Sequence, residues 1–274
     1  MAASNYIEVL FKDINAEQVN VLIALLSNYG FEGFEEEEHQ LKAYMDETSF
    51  DERTFADLVQ PYQLSYTIQY IKAQNWNAIW EEHFEPVVVN NFVGIRAHFH
   101  LSLANQVQYE IVITPKMSFG TGHHATTYMM IEQMQHLDFH KKQVLDFGTG
   151  TGILAILSEK LGAAHVLGID IDEWSIENAK ENIGRNDCTS IILQQKDGIT
   201  ADTKYDVVLA NINKNIILQN IQQLNDSLAP NGHLLISGIL IDDEEDLLTA
   251  ANKYELKHRY TIYNKQWACI LFAR

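Results

Sequence analysis

Cysteine is scarce in this chain: 274 residues hold two, Cys188 and Cys269, and no C-x-x-C pair. That argues against a disulfide framework and predicts free, buried thiols in a reducing compartment. Basic residues are also few, 19 Lys and Arg against 37 Asp and Glu, for a formal net charge of -18. A surface of that sign repels a bare phosphate backbone and favours a basic partner. No charged segment followed by an apolar stretch opens the chain, and the longest apolar run, near Leu234 to Ile241, falls far short of a membrane span. A soluble, cytoplasmic protein without a membrane partner is expected. No repeat or low-complexity linker interrupts it, and 46% hydrophobic content is ample for two packed domains.

What is present divides into two patterns. Tyr6 to Phe11 reads as a strand, and Asn15 caps a helix with Val19, Leu22, Ile23 and Leu26 on one face, ended by Gly30 in a left-handed conformation. Leu41 to Met45 is extended. Ser49 and Glu52 form a capping box for a second helix bearing Phe55, Leu58 and Val59, stopped around Pro61, before a strand from Ser65 to Ile71. This order predicts a small ferredoxin-like βαββαβ domain over residues 1–72. The acidic run Glu35 to Glu38 reads either as a solvated turn beside a strand or as a surface for a Lys-rich partner. Residues 73–88 place Trp76, Trp80 and His83 at helical intervals before Pro86 and read as a connector; its tryptophans either pack or border a substrate cleft.

Residues 89–274 form the second domain, where strand and helix alternate from Gln143 onward. Strands at Gln143 to Phe147, His165 to Ile171, Ile191 to Gln194, Tyr205 to Ala210 and Leu234 to Ser237 are separated by helices, which predicts a doubly wound, Rossmann-like parallel sheet. A last helix near Glu244 to Ala251 precedes a hairpin of Lys257 to Tyr263 and Gln266 to Phe272.

The chemistry-bearing residues sit where such a sheet binds ligands. In VLDFGTGTGIL a strand ends in Asp146 and turns through Gly148, Gly150 and Gly152 into a helix. Glycines let the backbone turn sharply and approach a ligand at the carboxyl edge of the sheet. A dinucleotide site uses a similar turn, but Asp146 would repel a pyrophosphate and suits the methionine ammonium of S-adenosylmethionine, directly or through water. Asp170, 22 residues past Gly148, ends the next strand, where a carboxylate accepts both ribose hydroxyls; alternatively it caps the following helix, for which Asp172 is better placed. Asp197, with Gly198, falls where the adenine edge should lie, or in an ordinary turn.

The fourth strand ends in LANIN, setting Asn211, Ile212 and Asn213 above the methyl end of the cofactor. An amide oxygen there would orient an attacking amine, although a structural turn also explains an Asn. The [Asn/Asp]-Pro-Pro-aromatic motif of many amine methyltransferases is missing. The segment TPKMSFGTGHHATTY, residues 114–128, is dense in Gly, Thr and His; a loop with Thr126 or Thr127 as helix cap is the plain reading. Adjacent His123 and His124 lack the i, i+4 spacing of a helical metal pair, so no metal site is predicted.

Taken together, FGTGHHATT, DFGTGTGILAI, GIDID, LANI, LISGI and the late W-A-C-I resemble the ribosomal protein L11 methyltransferase (PrmA) family over essentially the whole chain. The resemblance implies a class I methyltransferase fold, S-adenosylmethionine as cofactor, and cofactor contacts at Thr127, Gly148, Asp170 and Asn211. It also implies that the small N-terminal domain recognises a ribosomal protein and that the connector lets it swing. Lysine or N-terminal amines would be methylated, by a monomer that needs no nucleic acid. The chain departs from many members at Thr149, Thr151 and Ala125, none of which removes a needed side chain. Rival readings are a methyltransferase of RNA or DNA amines, disfavoured by charge, a non-catalytic cofactor-binding module, and a dinucleotide oxidoreductase, opposed by Asp146.

Overall fold

The structure is a computed structural model that describes residues 5–31, 33–37, 39–62, 64–71, 84–114, 120, 122–199 and 203–274. The chain separates into two compact units, Met1–His83 and Phe84–Arg274. Their boundary falls within the expected connector, whose Trp76, Trp80 and His83 lie outside the described residues.

The first unit follows the order β1 (Tyr6–Lys12), α1 (Ala16–Tyr29), β2 (Gly33–Glu37), β3 (Gln40–Asp46), α2 (Glu52–Val59) and β4 (Tyr66–Ile71). Its antiparallel sheet runs β2-β3-β1-β4, the ferredoxin-like arrangement. Alternation drives it: Ile7, Val9 and Phe11 point one way from β1 and are buried with Leu41, Ala43 and Met45 of β3 against Leu22, Leu26 and Phe55 of the helices. Each of these burials apart from the small Ala43 contributes about 1.5–3 kcal/mol. Asn15 and Gln18 form a reciprocal capping box at the start of α1, and Gly30 ends it at φ 116°.

Two expectations need correction here. The cap of α2 is Asp51, which accepts from Thr54 N at 2.7 Å, while Ser49 closes a preceding 3₁₀ turn; an ionised carboxylate one position before the helix outcompetes a more distant hydroxyl. Glu35 to Glu37 are not a turn but the edge strand β2, paired with β3 in the register Glu35↔Lys42. Lys42 Nζ lies 3.4 Å from Glu35 and Tyr44 donates to the same carboxylate at 3.0 Å, so cross-strand partners hold Glu35 in an extended segment.

The second unit is built on a seven-stranded sheet, β10-β9-β8-β11-β12-β14-β13. Strands β8 (Gln143–Phe147), β9 (His165–Asp170), β10 (Ile191–Gln195), β11 (Tyr205–Asn211) and β12 (Leu228–Leu240) are parallel, and β13 (Lys257–Asn264) and β14 (Trp267–Ala273) close it antiparallel. Strand β12 is much longer than the expected Leu234 to Ser237. Helices α3 (Ala125–Met134), α4 (Ile153–Lys160), α5 (Glu173–Arg185), α6 (Lys214–Ser227) and α7 (Glu244–Asn252) accompany the sheet. Apolar clusters on both of its faces explain why β8 and β11 read as near-continuous hydrophobic runs. No described helix is long and apolar enough to cross a membrane.

A three-stranded sheet of β5 (Val87–Val89), β6 (Val93–Ala97) and β7 (Tyr109–Ile113) precedes the main one. Its β7 edge is satisfied by side chains at the C-terminal end of α5 and its cap. Asn186 accepts from Val112 N at 3.0 Å and donates to Val112 O at 2.7 Å, and Asn182 accepts from Thr114 N at 2.7 Å.

Candidate active site

Strand order reverses between β8 and β11, and the crevice of an open parallel sheet forms at that point, beyond the carboxyl ends. Here it is a cavity of about 650 Å³. Its wall includes Gly148, Gly150, Asp170, Asp197 and Asn211 from among the expected site residues. Thr127 and Asp146 are not on the wall.

The Gly-rich turn follows from backbone geometry. Gly148, Gly150 and Gly152 have φ of 79°, 53° and 81°, the left-handed region that other residues adopt at a cost. A Cβ on Gly148 would also collide with the Ile212 side chain. Gly148 N and Thr149 N both donate to Ile169 O, at 2.8 and 2.9 Å, which draws the turn against the end of β9. Thr151 Oγ1 donates to Gly120 O at 2.5 Å, and Asn182 Nδ2 donates to Thr151 O at 2.8 Å, so α5 and the loop before α3 both hold this turn.

Asp170 is oriented through both carboxylate oxygens: Oδ2 accepts from Gly150 N at 2.9 Å and Oδ1 from Asp172 N at 3.1 Å. Each oxygen keeps lone-pair capacity for a further donor, the geometry a vicinal diol requires. The capping role belongs to Asp172, which accepts from Trp174 N at 3.0 Å.

Asp146 stands behind the turn and is 1% exposed, with Oδ2 accepting from Thr149 Oγ1 at 2.6 Å. Burial pushes its pKa up to about 7, with the Thr149 hydroxyl pulling the other way and the Asp170 charge adding a smaller upward push. A carboxyl poised between its two forms becomes a carboxylate when a cation arrives nearby.

At the opposite end of the cavity, Asn211 is the last residue of β11. Its Nδ2 donates to Thr127 Oγ1 at 3.1 Å, so Thr127 supports the wall without forming it. Asn211 Oδ1 is buried and has no hydrogen-bond partner, a costly state for a carbonyl oxygen unless a ligand supplies a donor. Sequence reasoning missed further side chains that line the cavity with Asn211. His124, not Thr126 or Thr127, caps α3: its ring accepts from Thr126 N at 3.4 Å and pairs with Thr126 Oγ1 at 2.8 Å, because the ring reaches the helix end first. The His124 ring packs edge-on against Trp267, centroids 4.8 Å apart, and both side chains line the cavity with Thr126. The W-A-C-I motif was the available signal, since strand pairing sets Trp267 opposite Leu240, just past Gly238.

The parallel sheet with its antiparallel end strands, the Gly-rich turn, the doubly oriented Asp170 and the orphaned acceptor on Asn211 define a class I S-adenosylmethionine-dependent methyltransferase. The family model described as ribosomal protein L11 methyltransferase (PrmA) matches residues 7–274. The chain belongs to that family. It is 38% identical to the ribosomal protein L11 methyltransferase of Chlorobaculum parvum, over 97% of this chain and 96% of that one. It is 37% identical to the protein of the same name from Bacteroides fragilis strain ATCC 25285, over 94% and 95%. Among solved structures, the ribosomal protein L11 methylase of Lactobacillus delbrueckii subsp. bulgaricus superposes with a TM-score of 0.65 at 28% identity, covering 70% of this chain and 99% of that one.

The residues present fit S-adenosylmethionine. The buried, unpartnered Asn211 Oδ1 offers an acceptor at one end of the cavity, Asp170 offers two at the other, and the side-chain-free Gly148 and Gly150 lie between. When bound, the cofactor supplies an activated methyl group; the chain supplies orientation and a dry site.

Proposed function

We propose that this protein methylates amino groups of ribosomal protein L11, at lysine ε-amines, the N-terminal α-amine, or both. The observation that carries the reading is the orphaned Asn211 Oδ1 on the cavity wall, an acceptor matched to an N–H donor. In this reading Gly148, Gly150, Asp170, Asp197 and Asn211 contact the cofactor, while Thr127 and Asp146 act from behind the wall. A lysine amine at neutral pH is uncharged only about one part in two thousand, and burial beside a sulfonium raises that fraction. Asn211 would orient the neutral amine in line with the methyl carbon, which the amine would accept while the thioether leaves with the bonding pair.

Residues 1–72 serve as the substrate-recognition domain and 73–88 as its connector to the catalytic part, 89–274. The net charge of -18 favours a Lys-rich protein over RNA or DNA. The enzyme acts in the cytoplasm as a monomer and needs no nucleic acid. The test is peptide mapping by mass spectrometry after purified L11 is incubated with enzyme and S-adenosylmethionine. Mass increments of one or more methyl groups on lysine or the N-terminal residue are expected; unmodified L11, or methyl groups on other side chains, would refute the proposal.

A further inference from the structure

The wall around Asn211 carries two kinds of surface. One is the single orphaned acceptor; the other is the aromatic pair of Trp267 and His124, joined by Thr126. Trp267 opens β14 opposite Leu240, and Gly238 of β12 also lines the cavity. Gly238 has φ 87°, and a Cβ there would collide with the backbone of Ile212, so β12 and the segment after β11 meet too closely for any side chain. Among the described residues, Trp267 is thereby the large apolar side chain that lines the cavity from the β12 and β14 side.

The His124 ring is fixed by its capping role, accepting from the Thr126 amide at 3.4 Å.

The chemistry of successive methyl transfers separates the two surfaces. A neutral primary amine has two N–H groups and a neutral monomethylamine has one, so either can donate to Asn211 Oδ1. A neutral dimethylamine has none. In each transfer the nitrogen lone pair forms a bond to the methyl carbon, the carbon–sulfur bond breaks and its electron pair stays on sulfur, leaving an ammonium. The first two ammonium products must lose a proton to solvent before reacting again, and the third has none to lose. Only an apolar or aromatic surface holds a methylated nitrogen that has stopped donating, and an aromatic face also attracts its positive charge.

From this juxtaposition we infer that Trp267 is a specificity-determining residue that sets how many methyl groups each amine receives, holding the methylated nitrogen after Asn211 can no longer orient it. The inference rests on the amine-methylation reading above and deepens it. Trp267→Phe keeps an aromatic face and Trp267→Leu removes it while keeping an apolar residue; cofactor affinity by calorimetry and the melting temperature serve as controls for the fold.

The measurement is the time course of mono-, di- and trimethylated peptides from purified L11, for wild type and both variants. Relative to its first two transfers, W267L should slow the third about tenfold, within the range of a cation–aromatic contact, so that dimethyl product accumulates. W267F should restore the trimethyl product. Asn211→Ala should show the opposite imbalance, losing mainly the first two transfers. The inference is overturned if W267L keeps the wild-type ratio of products, if W267F behaves as W267L, or if wild type stops short of three methyl groups. A wild-type enzyme that labels no L11 amine would instead refute the substrate reading on which the inference stands.

Discussion

Asn211 Nδ2 donates to Thr127 Oγ1 at 3.1 Å, a bond between residues 84 positions apart that fixes which end of the Asn211 amide is left for a ligand. With the nitrogen engaged, Oδ1 is the free end. Asn211→Ala should therefore cut kcat more than it raises KM, because the bond strengthens as positive charge develops on the attacking nitrogen. A loss on the order of 2–4 kcal/mol is expected, by analogy with one oriented oxyanion-hole donor. Thr127→Val, which frees the amide to rotate, should cost less. Single-turnover rates against pH provide the check. A defect that persists above the amine pKa supports positioning, and one that disappears there points to proton transfer instead.

Asp170 uses both carboxylate oxygens to meet the Gly-rich turn and the start of α5 while facing the cavity. Asp170→Ala should weaken S-adenosylmethionine binding by about 1.5–3 kcal/mol, the range for hydrogen bonds to a charged group. Calorimetry on the folded variant decides it, and unchanged affinity would remove Asp170 from the cofactor site.

Asp146 gives a pH signature. Its native pKa is raised from 3.8 to about 7, so the native state holds this proton more tightly than the unfolded chain. The associated stability is full below 3.8, declines as pH rises, and is gone above about 7. Asp146→Asn removes the titration, so the melting temperature of the cofactor-free variant should gain on wild type across that window, by about 2–4 °C for each kcal/mol. Cofactor affinity should rise with pH over the same window in wild type and not in the variant. Parallel melting curves for the two proteins would contradict this account of Asp146.

Gly238 shows how a backbone position on the cavity wall can act on the site without a side chain of its own. Gly238→Ala faces both a φ of 87° and a clash with Ile212 backbone, which has no side-chain rotation to relieve it. Destabilisation of about 1–3 kcal/mol is expected from strain, together with a fall in kcat, since Ile212 directly follows Asn211. Denaturant unfolding and turnover measured on the same preparation test both effects.

The alternating strands and helices from Gln143 onward were legible because hydrophobic period and Gly-rich turn agree. Asp172 as the cap of α5 was legible for the same reason, a short acceptor one residue before a helical pattern. The β5–β7 sheet was not, since Val87–Val89 is only three residues long and β7 draws its edge partners from Asn182 and Asn186, some seventy residues away. The wall near Asn211 was half legible: LANIN marked the strand end, but no local pattern shows that Trp267 and His124 meet beside it. Thr127 was read as a cofactor contact; its hydroxyl accepts from Asn211 Nδ2, a pairing across 84 residues that no local pattern shows.

The most direct measurement of the central claim gives the enzyme a free choice of partner. Intact ribosomes and a total ribosomal protein extract are each incubated with the protein and radiolabelled S-adenosylmethionine, and the label is located after separation of protein from RNA. The account predicts label in a single protein band identified as L11, abolished by Asn211→Ala. Label in ribosomal RNA, in a different protein, or undiminished in the Asn211 variant would contradict it.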